Sequence, residues 1–104
     1  MSQEQNSSQQ QQQQSKGSYP SNETYERAFK ISIRDNKPIH SYFYIPSLKG
    51  KVSIKYDGED KIIWVDEDEH SSPIINAYKS GNELIMVTEN TIYIISSKTQ
   101  VIKE

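Results

Sequence analysis

Apolar and polar residues alternate along most of this chain, with the period of strands that bury one face. Turn-forming residues such as Gly, Asn, Asp and Pro separate the alternating stretches. The segments predicted as strands are residues 28–34, 40–45, 51–56, 62–66, 74–79, 83–88 and 91–96. Only one short helical turn is predicted, over residues 25–27, where Ser21 and Asn22 are suitable capping residues.

The hairpin over residues 51–66 contains the only tryptophan of the chain, Trp64. Its turn lies at residues 57–60, and centring it on Gly58-Glu59 pairs Ile54 with Ile63, whereas the alternative centre sets Ile54 against a lysine. The first register is therefore predicted, and it places Trp64 on the more polar face. The other residues of that face are Lys51, Ser53, Lys55, Ile62 and Asp66.

The last hairpin, over residues 83–96, is the most apolar part of the chain. With its tip at residues 89–90, the pairs across it are Val87 with Ile92, Ile85 with Ile94, Met86 with Tyr93 and Leu84 with Ile95. A three-residue bulged turn is an alternative that shifts this register by one, because Glu89 is poorly suited to a positive φ. Both faces are apolar, so both need a cover.

The fold class predicted from these patterns is mainly all-β. Six or seven antiparallel strands that fold onto themselves, as a small barrel or a two-layer sandwich with meander-like connections, cover both faces of an apolar hairpin with few elements. Residues 22–104 are predicted to form this one small domain. Residues 1–21 are nearly all polar and include an unbroken glutamine run over residues 9–14, so they are predicted to be a disordered spacer.

Composition excludes several classes of function. The 104 residues include no cysteine, which rules out disulfides, thiol nucleophiles and thiolate zinc sites and favours a cytoplasmic location. The 12 basic and 14 acidic residues are mixed along the chain, so its net charge of −2 creates no strong field toward nucleic acid or an anionic membrane. No apolar run approaches the ~18 residues needed to cross a bilayer.

The densest charged segment is Asp66, Glu67, Asp68 and Glu69, followed by His70. Its composition suits a hard cation such as calcium, but an EF-hand spreads its ligands over about 12 residues with a turn glycine, and this segment does neither. A solvated acidic loop is therefore predicted, with no metal site and no cofactor.

No catalytic residue is predicted, and no enzyme is expected. His70 precedes Ser71 and Ser72, but a serine nucleophile also needs an orienting acid and an oxyanion hole, which neighbouring residues do not supply. The only other histidine, His40, lies far away in the sequence.

The candidate binding residues are aromatic side chains interleaved with lysines: Tyr42, Tyr44, Lys51, Lys55 and Trp64. Trp64 is either packed in the core or exposed beside Lys55, where it would anchor a protein interface. The predicted function is a non-enzymatic binding or accessory module whose partner is another protein or a second copy of the chain. The alternatives are a nucleic-acid-binding barrel that stacks bases on these rings, an acidic inhibitor of a basic protein, and a subunit that is stable only when assembled.

Overall fold

The structure is a computed structural model that describes residues 19–102 of the chain. Strands account for 44% of these residues and helices for 23%, so the prediction of a mainly β fold is confirmed. The predicted disordered tail, residues 1–21, lies outside the described residues except for its last three. Within residues 19–102, neither helix is long and apolar enough to cross a membrane.

Two helices and eight strands make up the described part of the chain. In chain order they are α1 (Asn22–Asp35), β1 (Ile39–His40), α2 (Tyr44–Leu48), β2 (Ser53–Asp57), β3 (Asp60–Asp66), β4 (Glu69–His70), β5 (Ile74–Ser80), β6 (Glu83–Thr88), β7 (Ile92–Ser96) and β8 (Gln100–Ile102).

The strands form two four-stranded sheets. The first sheet has the order β1-β7-β6-β5, and the second has the order β4-β3-β2-β8. Each is built on an antiparallel meander of three consecutive strands, as predicted. Each also gains a parallel edge strand, β1 beside β7 and β8 beside β2, so antiparallel pairing does not hold throughout. These added strands are too short for periodicity to indicate them.

Residues 28–34 form part of helix α1, so the prediction of a first strand there is wrong. The Ser21 hydroxyl caps the helix by accepting the Thr24 N–H at 3.2 Å, and Asn36 ends it in the left-handed region with φ 56°. An ion pair from Arg27 to Glu23 at 3.1 Å adds support one turn apart. The capping residues were recognisable, but the helix continues to Asp35 instead of ending near Arg27.

The buried face of α1 explains why a helix forms despite strand-like alternation. Thr24, Ala28 and Ile31 are buried, with the helical spacing of four and three residues. Phe29 and Ile33, which a strand would bury together with Ile31, are instead exposed. The packing of α1 on the first sheet therefore overrides the local pattern.

The predicted second strand, residues 40–45, is also wrong beyond His40. The chain turns at residues 42–43 and enters the short helix α2, where Pro46 occupies the first turn and its missing N–H costs no helical hydrogen bond. The Ser47 hydroxyl donates to the Tyr44 carbonyl at 2.6 Å and accepts the Ser96 N–H at 2.9 Å, which joins α2 to β7.

Two core clusters lie on opposite sides of the first sheet. The cluster under α1 consists of Ala28, Ile31, Tyr44, Ile85, Val87, Ile92 and Ile94. The cluster between the two sheets consists of Phe43, Val52, Ile54, Ile63, Met86 and Ile95. The sheets face each other without closing a barrel, so the sandwich form of the prediction is confirmed and α1 is a third layer that was not predicted.

Both predicted hairpin registers are confirmed. Ile54 pairs with Ile63 in the second sheet, and Val87 pairs with Ile92 in the first. The bulged alternative at the tip of the last hairpin is not used. Instead the Thr88 hydroxyl donates to the Thr91 carbonyl at 2.7 Å, so the tight connection forms without a positive φ.

Candidate functional site

The second sheet has one face turned toward the core and one turned away from it. Ile54 and Ile63 point into the cluster between the sheets, so the residues that alternate with them lie on the opposite side, here called the outer face. In register order this outer face carries Ser53, Trp64 and His70 in one row and Lys55, Ile62 and Ile102 in the next. The predicted placement of Trp64 and Lys55 on one face is confirmed.

Trp64 is half-buried and is held from both neighbouring strands. The Lys55 ammonium on β2 lies 3.8 Å from the centre of the indole ring, a cation–π contact. The His70 imidazole on β4 stacks on the indole with ring centres 5.9 Å apart and planes at 15°. A large ring fixed in this way loses little side-chain entropy when a partner binds it.

Tyr42 extends this surface along the β4 edge. Its exposed hydroxyl donates to the carboxylate of Glu69, the residue before His70, and this hydrogen bond, together with the negative charge, raises the pKa of Tyr42. Its ring packs edge-on against buried Phe43, with ring centres 5.1 Å apart. Phe43 packs in turn on Tyr93, so the core anchors the exposed phenol.

The other candidate residues are dispersed. Tyr44 is buried in the cluster under α1, on the far side of the first sheet from Trp64, so it does not join the outer face. Lys51 is exposed just before β2. The structure thus groups Trp64 and Lys55, ties Tyr42 to the adjoining edge, and separates Tyr44 from them.

The acidic segment is the turn between β3 and β4. Asp66 ends β3, Glu67 and Asp68 form the turn, and Glu69 begins β4. The Asp66 carboxylate accepts the Asp68 N–H at 2.8 Å, the arrangement of an Asx turn. Within residues 19–102 no three potential metal-ligating side chains come together, here or elsewhere.

Ser71 has a structural role beside His70. Its hydroxyl donates to the Ser72 carbonyl at 2.7 Å and accepts the Ile63 N–H at 2.9 Å. The His70 ring is stacked on Trp64 rather than directed at a serine hydroxyl. These residues therefore have the geometry of a strand continuation and not that of a nucleophile with its base.

Sequence reasoning missed a polar group at the opposite end of the domain. Glu83, at the start of β6, is buried against the N-terminus of α1, where its carboxylate accepts hydrogen bonds from Ser21 and Thr24. This arrangement depends on how α1 lies across the sheet, so no local pattern indicates it.

Comparison of the chain with protein-family models, curated proteins and solved structures gave no match. The function is therefore inferred from the geometry of the outer face and its surroundings.

Proposed function

We propose that this protein is a non-enzymatic binding module that engages protein surfaces through the outer face of its second sheet. The observation that supports this most is the position of Trp64, which lies on the sheet face opposite the core and is held there by Lys55 and His70. Tryptophan is the residue most enriched among those that dominate interface energies, and a pre-ordered ring binds at low entropic cost.

The charges around Trp64 favour a second copy of the chain as a partner. Lys55 lies beside the ring, while the acidic turns at residues 57–60 and 66–69 lie at the two ends of the β2–β3–β4 meander. In an isologous dimer with its two-fold axis near Trp64, the Lys55 of each copy can face an acidic turn of the other. We propose such a dimer, with Trp64 close to the axis.

The same geometry makes the nucleic-acid alternative less suitable. A stacked base needs a free aromatic face, and both Lys55 and His70 already contact the Trp64 ring. Tyr44, the other ring expected to stack, is buried. Binding of oligonucleotides that weakens steeply with salt and is lost in Lys55→Ala would contradict the protein-binding proposal.

The test uses the full chain. The molecular mass is measured by sedimentation over a dilution series, and tryptophan emission is recorded in the same samples. Because Trp64 is the only tryptophan, its emission reports this face directly. We expect dimers that dissociate on dilution, with a red shift of the emission as the ring becomes hydrated.

Two variants sharpen the result. Trp64→Ala is expected to remain folded and monomeric at concentrations where the unmodified chain is dimeric. Phe29→Ala, the control, removes a more exposed aromatic ring from α1 and is expected to dimerise normally. A chain that is monomeric throughout, or a folded Trp64→Ala variant that dimerises as before, would show the proposal to be wrong.

A further inference from the structure

A cavity of about 610 Å³ lies at the other end of the domain, where the N-terminus of α1 meets α2, the start of β6 and the end of β7. Its size falls within the range of about 300 to 1,000 Å³ that is typical of small-molecule sites. Its lining includes Tyr44, Asn82, Glu83, Ser97 and Lys98. None of these residues belongs to the outer face, so the cavity is a separate site.

Only one of the two oxygens of the Glu83 carboxylate in this cavity accepts hydrogen bonds from residues 19–102. The side chain is 8% exposed, and its Oε1 atom accepts the Thr24 hydroxyl at 2.6 Å and the Ser21 hydroxyl at 3.1 Å. Its Oε2 atom receives no hydrogen bond from any group in residues 19–102. A buried carboxylate oxygen without a donor is costly, so the site favours a ligand that supplies one.

Tyr44 is a second buried polar group in the cavity wall. It is 4% exposed, and within residues 19–102 its hydroxyl has no hydrogen-bond partner. Burial and the nearby Glu83 charge both raise the pKa of this phenol, which keeps it neutral. By contrast, the hydroxyls of Ser47 and Ser96, which also line the cavity, already have partners. The Ser47 hydroxyl donates to the Tyr44 carbonyl and accepts the Ser96 N–H, and the Ser96 hydroxyl accepts the Lys98 N–H at 3.1 Å.

We propose that this cavity binds a small organic cation, a molecule with a protonated primary amine. An ammonium group provides three donors and a positive charge, which suit Glu83 Oε2 and the Tyr44 oxygen together. Lys98 also lines the cavity, but it is exposed to solvent, where its charge is screened much more than that of buried Glu83. The cavity therefore selects the charge of its ligand through the buried carboxylate.

The test compares three probes of the same length on the full chain: n-butylammonium, n-butanol and n-butyrate. Binding is followed by the shifts of backbone amide signals in a nuclear magnetic resonance titration. We expect n-butylammonium to shift the signals of residues 82–83 and 96–98 and to bind at least about tenfold more tightly than the other two, because only it brings a positive charge to the Glu83 carboxylate.

Substitutions assign the selectivity to Glu83. Glu83→Gln retains an oxygen that accepts from Ser21 and Thr24 but removes the charge, so the preference for n-butylammonium is expected to fall about tenfold. Glu89→Gln, an equivalent change at the exposed tip of the β6–β7 hairpin, is the matched control and is expected to leave binding unchanged. Tyr44→Phe removes only a hydroxyl and provides a second test if Glu83→Gln does not fold.

Two results would overturn the proposal. One is equal affinity for the three probes, including no detectable binding of any, because the carboxylate would then confer no selectivity. The other is unchanged n-butylammonium binding in a folded Glu83→Gln or Tyr44→Phe variant.

Discussion

The β6–β7 hairpin is apolar on both faces, whereas the β2–β3 hairpin has one apolar and one mixed face, and the two differ in what covers them. In the β6–β7 hairpin both faces are buried, one by α1 and the other by the second sheet. In the β2–β3 hairpin the face with Ile54 and Ile63 packs in the cluster between the sheets. The outer face carries half-buried Trp64 and Lys55 beside buried Ile62, and it joins neither core cluster. Faces that are apolar throughout are therefore covered by another layer, whereas the mixed face with Trp64 belongs to neither core cluster. This placement supports the proposed binding surface.

The largest predicted effect concerns the doubly covered hairpin. Ile94→Ala removes a fully buried side chain from the cluster under α1 and is expected to lower the free energy of unfolding by about 2 to 5 kcal/mol, the usual cost of such a cavity. Chemical denaturation measures this cost. If the variant does not fold, Ile94→Val should cost about 0.5 to 1.5 kcal/mol.

The control for that prediction lies in the helix that covers the same cluster. Ile33 is 83% exposed on α1, so Ile33→Ala loses almost no packing and gains helix propensity. Its free energy of unfolding should stay within about 0.5 kcal/mol of the unmodified value. A large loss of unfolding free energy in Ile33→Ala would show that the exposed side of α1 is packed. The contrast between buried Ile94 and exposed Ile33 would then not hold.

The residue pairs within both hairpins could be predicted from the sequence, because hairpin register is set by the turn and its neighbouring residues. The choice between two turn centres fixed which residues face Trp64, and the same reasoning fixed the pairs across the β6–β7 hairpin. The two apolar faces of that hairpin also showed correctly that both need a cover. The alternation alone did not indicate that the second cover is a helix.

Residues 28–34 show why alternation alone did not predict the helix. Phe29, Ile31 and Ile33 fit one face of a strand, and only the position of α1 against β6 and β7 makes Ile31 a core residue and leaves the other two exposed. Local preference is a weak prior where tertiary burial decides the outcome. The capping serine, Ser21, was a better indicator of the helix than the alternation.

The contacts of the candidate site also divide into those that the sequence predicted and those that it did not. Lys55 beside Trp64 follows from register, but the stacked His70 lies on a two-residue strand that no periodicity indicates. Glu83 and Tyr44 line the same cavity only because α1, α2 and the first sheet pack together. Contacts within one hairpin were predictable, and contacts between layers were not.

A smaller effect on the free energy of unfolding is expected from removing the cation–π contact on the outer face. Lys55→Met retains most of the aliphatic length but removes the charge above Trp64, and should lower the free energy of unfolding by about 0.5 to 1 kcal/mol. Tryptophan emission should change as well, because the charge lies 3.8 Å from the ring centre. Lys49→Met, at an exposed lysine outside both sheets, is the control and should change neither property. Equal behaviour of the two variants would mean that Lys55 does not hold the ring.

The smallest predicted effect concerns Tyr42, which lies at the edge of the outer face. The Tyr42 hydroxyl donates to Glu69, which raises the pKa of this phenol above its ordinary value of 10.0. A pKa that is higher in the folded state means that folding favours the protonated phenol. The contribution to stability is therefore fully present below pH 10 and is lost as the pH rises through the folded-state pKa.

This sign can be checked with Tyr42→Phe. The variant should be less stable than the unmodified chain at neutral pH, and the difference should disappear in alkali as the phenol ionises. The difference between the ultraviolet titrations of the two proteins gives the pKa of Tyr42 itself. Tyr56→Phe, at a half-buried tyrosine on the same sheet whose ring lies near Lys61, is the control for general alkaline unfolding. A Tyr42 pKa below 10.0 would mean that the phenol does not donate a hydrogen bond to Glu69, and that Tyr42 is not held at the edge of the outer face.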